Sequence, residues 1–152
     1  EATKLVFPTL LHDFQAPMLR VYPVYSVVAE KYHAMVLLGQ ANRRMKDFYD
    51  LAVIARRIDL MGGILTQAIN ATFARRNTTL PKDTPFALSK LLSDDEIKLR
   101  QWKAFLTKNR LALDPLEKIV VLLNRLLWPP TKSAITGVLM LKNWSASKQK
   151  WM

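Results

Sequence analysis

Apolar residues recur at helical spacing over most of the chain, and the exception lies at its start. Residues 3–11 (Thr-Lys-Leu-Val-Phe-Pro-Thr-Leu-Leu) read as a strand, and residues 16–23 alternate apolar and other side chains between Pro17 and Pro23, as in an edge strand or extended loop. From Val24 to Leu38 the apolar positions Val24, Val27, Val28, Ala34, Met35 and Leu38 follow helical spacing. Gly39-Gln40-Ala41-Asn42 supplies a stop, and Ser26 is a possible cap for a later start. The next helix is expected over 43–57. Its stripe is Phe48, Leu51, Ala52 and Ala55, with the charged Lys46, Asp47 and Asp50 off it.

Gly62-Gly63 interrupts this pattern, which resumes over 64–73 through Leu65, Ala68, Ile69, Thr72 and Phe73 and closes on Arg75-Arg76, where cations suit a helix C-terminus. A loop is expected over 78–85, and two turns of helix over 86–92. Ser93-Asp94-Asp95-Glu96 has the form of a capping box, opening a helix that runs to about Lys108. Asp114-Pro115 offers a cap and a first-turn proline for an apolar helix over 116–127, with Pro129-Pro130 as its end. Residues 131–141 are a candidate last helix weakened by Gly137. The expected fold class is therefore mainly α with a short N-terminal β segment.

Composition narrows the chemistry. The 152 residues carry 23 Lys+Arg against 12 Asp+Glu, a net charge of +11, with half the residues apolar and no cysteine. A chain of this length buries about 70% of its unfolded surface, so no disulfide staple is needed. The absence of cysteine removes thiolate zinc sites, iron–sulfur clusters and cysteine nucleophiles. Charged residues interrupt every window approaching the roughly 20 apolar residues of a membrane span, and no secretory pattern opens the chain. A cytoplasmic location without membrane association is the expectation. The first residue is Glu1, not Met, and an N-terminal strand needs partners, which suggests a piece of a longer protein.

The densest polar cluster is Arg43-Arg44-Met45-Lys46-Asp47-Phe48-Tyr49-Asp50. On a helix Asp47 and Asp50 are i, i+3 neighbours, and Lys46 reaches Asp50 at i, i+4. Such carboxylates can ligate Mg²⁺, act as acid and base, or simply pair with the surrounding cations on a solvated face. Lys31 can hold a phosphate as a point charge or lie along the surface. His12 and His33 have no metal-ligand spacing and read as structural. No glycine-rich phosphate loop, Gly-x-Ser-x-Gly elbow or zinc motif occurs. The pairs Arg43-Arg44, Arg56-Arg57 and Arg75-Arg76 attract phosphate backbones in general. Trp102, Trp128, Trp144 and Trp151 suit core edges better than base stacking.

Taken in order, Ala29-Glu30-Lys31-Tyr32-His33-Ala34-Met35 and Asn42-Arg43-Arg44-Met45-Lys46-Asp47-Phe48-Tyr49-Asp50-Leu51 resemble the second half of the AbiEii/AbiGii abortive-infection toxin family. The stretch from Ala68 to Thr78 with its basic pair, and Trp102-Lys103-Ala104-Phe105-Leu106, are similar to later parts of that family. The resemblance covers most of residues 18–128. It implies the helical C-terminal lobe of a polymerase-beta-type nucleotidyltransferase, acting in bacterial toxin–antitoxin and phage-defence systems. The implied reaction transfers a nucleotide from a nucleoside triphosphate, with Mg²⁺, to a target such as tRNA. Lys31 then matches the triphosphate-contacting lysine, with Arg44 and Lys46 beside it as nucleotide-binding residues. Asp47 and Asp50 match two acids that support the metal site or orient Lys31.

One departure limits this implication. Family members carry a Gly-Ser turn and an Asp-x-Asp pair that supplies the main Mg²⁺ ligands. Here Gly39 is the first glycine and no Asp-x-Asp occurs. Nucleotidyl transfer needs the metal to neutralise charge and align oxygens, so the 152 residues alone are expected to be inactive. Mg²⁺ and a nucleoside triphosphate belong to a full-length parent, and neither is expected to bind this chain tightly. The implied division is 1–23 as remnant strands of a catalytic sheet, 24–128 as the helical lobe, and 129–152 as a basic tail. The expected partners are a missing catalytic lobe and RNA, with self-association through an exposed sheet edge also open. The rival reading is a non-catalytic basic helical module that binds RNA or a protein partner.

Overall fold

The computed structural model describes residues 23–152. The expected strand over 3–11, the edge strand or extended loop expected over 16–23 except its last residue, Pro23, and His12 lie outside the described residues. The described part is mainly helical with one small sheet, in agreement with the expected mainly-α class.

Helix α1 (Pro23–Leu38) leads into a 3-10 turn (Gly39–Ala41), and α2 spans Met45–Arg57. Strand β1 (Leu60–Met61) precedes α3 (Gly62–Arg75). A 3-10 turn (Phe86–Leu88) and the short α4 (Lys90–Ser93) lead to α5 (Glu96–Lys108) and the long α6 (Leu116–Thr136). Strands β2 (Asn143–Ser145) and β3 (Lys150–Trp151) finish the chain. Helix α6 is the hub: α2, α3 and α4 pack against it, while α1 lies along α3. Its buried residues Leu116, Ile119, Val120, Leu123, Leu126 and Leu127 repeat at i, i+3, i+4 and i+7. Four other predicted core positions, Phe48, Leu51, Ala52 and Ala55 of α2, are fully buried against this hub.

Several local expectations are corrected. Proline at 23 opens α1, where its missing N–H has no helical acceptor to lose, so Ser26 lies inside the helix and caps nothing. The buried stripe of α1 is Tyr25, Val28, Ala29, Tyr32 and Met35; Val27 and Leu38 are exposed, because an almost uniformly apolar helix does not reveal its inner face by pattern. Gly62 and Gly63 open α3 and do not merely separate helices. Asp95, not Ser93, caps α5, accepting the Ile97 N–H at 2.8 Å and the Lys98 N–H at 3.2 Å, while Ser93 closes α4. Asp114 does not cap α6. Its carboxylate takes Arg56 at 2.7 Å and its carbonyl accepts the Trp102 indole N–H at 3.1 Å.

The largest difference is at the end of the chain. Helix α6 passes through Pro129-Pro130 to Thr136 and stops at Gly137, which adopts a left-handed φ of 75°. It therefore crosses the expected boundary between 128 and 129, and no separate helix forms over 131–141. Residues 143–151 make a hairpin that extends β1 into an antiparallel sheet of order β1-β2-β3, with Leu60 opposite Trp144 and Trp144 opposite Trp151. Trp144 is fully buried and donates its indole N–H to Ala55 O at 2.7 Å. Two- and three-residue strands carry too few positions for alternation to announce them.

Candidate functional site

The residues singled out by motif meet where α1 crosses the first turns of α2. Lys31 faces inward from α1, and its Nζ lies 3.0 Å from Asp47 Oδ1 and 3.0 Å from Asp50 Oδ2. Asp50 Oδ2 also accepts Lys46 Nζ at 2.6 Å, the i, i+4 pair expected from spacing. Arg44 Nε approaches Asp47 Oδ2 at 3.1 Å without hydrogen-bond alignment, leaving that oxygen buried with no hydrogen-bond donor. Asp47 is not on a solvated face: its side chain is 4% exposed, against 23% for Asp50. Position in the first turn of α2 favours its negative charge through the helix dipole.

Electrostatics follow from these contacts. Burial alone would push the Lys31 ammonium down, but hydrogen bonds and charge from Asp47 and Asp50 outweigh it and hold the group above the usual lysine value. Burial likewise pushes the Asp50 carboxyl up, and Lys46 and Lys31 together bring it below the usual aspartate value. Both groups therefore stay charged across neutral pH.

The 42–44 segment that carries Arg44 is fixed from beneath. Asn42 Oδ1 accepts the Arg44 N–H at 2.8 Å, and the buried Lys98 of α5 donates its Nζ to the Asn42 carbonyl. Sequence reading missed both residues. Asn42 served only as a helix stop, and Lys98 has no sequence mark that distinguishes it from the exposed cations of α5.

Two clefts flank the Lys31–Arg44 wall. One, of about 570 Å³, has a polar side of Ser26, Glu30, Lys31, His33, Arg44 and Arg76 and an apolar side of Val27, Ala34, Leu37 and Leu38. The other, of about 660 Å³, is lined by Arg43, Lys46, Asp47, Phe105 and Lys108 together with Lys31 and Arg44. Glu30 is held by Arg75 and Arg76 at the end of α3, with Arg76 Nη2 2.8 Å from Glu30 Oε1. His33 is structural in geometry: Nε2 lies 2.7 Å from Thr78 Oγ1 and the ring meets Phe73 edge-on. Burial, aided by the Arg76 charge, lowers its pKa. The indoles of Trp102, Trp144 and Trp151 all donate to backbone carbonyls, and Trp128 packs against the core.

The carboxylates do not fit a magnesium site as they stand. Among the described residues no group of three His, Asp or Glu side chains converges, and Asp47 and Asp50 are already neutralised by Lys31, Lys46 and Arg44. A hard dication needs carboxylate oxygens free of such partners. No helix among the described residues is long and apolar enough to cross a membrane.

No curated protein and no solved structure matches the chain. The sequence model for the nucleotidyl transferase AbiEii toxin of type IV toxin–antitoxin systems matches residues 1–129. That span holds Lys31, Arg44, Asp47 and Asp50 together with α1 to α5, and the chain belongs to the AbiEii nucleotidyl transferase toxin family.

Proposed function

We propose that this chain is the nucleotide-holding helical lobe of a polymerase-beta-type nucleotidyltransferase toxin, and that Lys31 contacts the triphosphate. The observation that carries the reading is the Lys31 ammonium, fixed by two carboxylates at 3.0 Å each between two basic clefts. In nucleotidyl transfer an acceptor hydroxyl attacks the α-phosphorus, the bond to the bridging oxygen breaks, and pyrophosphate leaves with the growing negative charge. A positioned ammonium stabilises that charge without reorganisation. Arg44 and Lys46 add positive charge beside it. Asp47 and Asp50 act through Lys31, setting its place and keeping it protonated.

Magnesium supplies alignment and charge neutralisation in reactions of this class. Because no Gly-Ser turn with Asp-x-Asp occurs in the 152 residues, they do not transfer nucleotides unaided in this reading. The acceptor is tRNA, drawn by the net charge of +11. The partners are an antitoxin and a polypeptide that carries the metal ligands.

The test is incubation of the protein from its complete reading frame with labelled nucleoside triphosphates, Mg²⁺ and tRNA. Lys31→Ala is expected to lower transfer by about 100-fold or more, and full transfer by that variant overturns the assignment. The missing Asp-x-Asp also favours a second reading, a non-catalytic RNA-binding module. Its signature is no transfer by the complete protein, with RNA affinity that falls steeply with salt.

A further inference from the structure

The motif reading leaves Glu30, Arg75 and Arg76 without a task. Arg76 Nη2 lies 2.8 Å from Glu30 Oε1 and its Nε donates to the same oxygen at 3.0 Å, while Arg75 takes Oε2. Two guanidinium groups thus grip one carboxylate, the arrangement by which arginines also grip phosphate oxygens. Two cations against one anion leave this end of the cleft positive. Arg76 and Arg44 are roughly half exposed, at 52% and 57%, so a ligand can reach both. Lys31 lies on the same cleft, whose volume of about 570 Å³ suits a small ligand.

The cations come from three elements: Lys31 from α1, Arg44 from the 42–44 segment and Arg76 from the end of α3. A chain of linked phosphates can address charges dispersed in this way, whereas a single phosphate has one centre. We propose that the cleft is a polyphosphate site in which Arg76 is a ligand residue, and that Glu30 is the resident anion from which the incoming phosphates take Arg76. Only the identity of the polyphosphate, the triphosphate of a nucleotide, rests on the nucleotidyltransferase reading. His33 adds no positive charge near neutral pH, since burial and Arg76 disfavour its protonated form.

The experiment is calorimetric titration of the chain with inorganic tripolyphosphate, without Mg²⁺ or nucleotide, with thermal melts to verify folding. Arg76→Ala is expected to weaken binding by about tenfold or more, the loss of one charged hydrogen-bonding partner. Glu30→Gln removes the competing anion and is expected to tighten binding about two- to fivefold. Arg100→Ala lowers the net charge equally but lines neither cleft, and is expected to stay within about twofold of wild type. Wild-type binding by Arg76→Ala, or an equal loss in Arg100→Ala, overturns the proposal. If the expected pattern holds while the complete protein transfers no nucleotide, the polyphosphate site stands and the transferase reading fails. If the complete protein transfers nucleotide while tripolyphosphate binding is indifferent to Arg76, the transferase reading stands and the polyphosphate site fails.

Discussion

The indole N–H of Trp151 donates to the carbonyl oxygen of Arg125 at 2.9 Å. In an unbroken helix that oxygen would accept the N–H of residue 129, but residue 129 is proline and has none. The C-terminal hairpin therefore supplies a donor that the helix lacks. The Arg125 side chain returns the contact by donating to Gln149 O at 3.2 Å. Helix α6 continues past two prolines in the presence of this support, and the last residues of the chain are part of the packed fold.

Trp151→Phe keeps a ring against Trp144 but removes the donor. The expected cost is about 0.5–1.5 kcal/mol, the net worth of a hydrogen bond at an exposed site where water can replace the donor, read from urea unfolding. Pro129→Ala restores a helical N–H to Arg125 O. In that background Trp151→Phe is expected to cost less than in the wild-type background, since only the packing difference remains. Equal costs in the two backgrounds would show that the indole hydrogen bond does not compensate for the proline.

Neighbouring glycines at the start of α3 are expected to respond in opposite directions. A Cβ on Gly62 would lie 2.2 Å from Lys142 O and 2.9 Å from Met140 Cγ. The first is backbone, fixed because Gly62 N–H donates to the same oxygen at 3.1 Å. Gly62→Ala must push the 140–142 segment away, at roughly 1–3 kcal/mol or more. At Gly63 the nearest atom is Met140 O at 3.5 Å, an ordinary contact. Gly63→Ala is expected to stabilise by about 0.4–1 kcal/mol through lower freedom in the unfolded chain. Thermal melts of the two variants decide it, and a shift in the same direction for both would refute the close-approach argument.

These contacts show which parts of the fold could be read from residues alone. The stripe Phe48-Leu51-Ala52-Ala55 and the spacing of Lys46 and Asp50 are local, and α2 presents them as helical geometry requires. The pairing of Lys31 with Asp47 joins residues 16 positions apart, and only the motif resemblance links them in sequence. The passage of α6 through Pro129-Pro130 was illegible, because the compensating donor arrives from Trp151, 26 residues from its acceptor. Lys98 escaped for a similar reason: its acceptor is a backbone carbonyl 56 residues away.

His33 gives a pH dependence with a defined direction. Burial and the nearby Arg76 lower its pKa from 6.5, so the folded protein binds a proton less readily than the unfolded chain. Its contribution to stability is present above pH 6.5 and declines as pH falls through the lower, folded value. His33→Gln keeps a polar contact toward Thr78 without titrating. Urea midpoints for wild type and His33→Gln are expected to converge as pH falls from about 7.5 toward about 5. A difference that stays constant over that range would remove His33 as the cause.

The Lys31 cluster has the opposite profile at each end of the pH scale. The raised lysine contributes fully below pH 10.5 and loses its contribution as pH climbs through the folded value. The depressed Asp50 contributes above pH 3.8 and loses it as pH drops through the folded value. Between these limits the cluster's contribution is flat, so variants are best compared near neutral pH. Asp47→Asn removes the more buried carboxylate and is expected to cost about 1–3 kcal/mol. Asp50→Asn removes one that solvent partly screens, at about 1 kcal/mol or less. With both replaced, burial acts on Lys31 unopposed, and its ammonium is expected to titrate below 10.5. NMR titration of ¹³C-dimethylated lysines measures this directly. An unchanged Lys31 signal in the double variant would mean that the carboxylates neither hold the ammonium nor keep it charged.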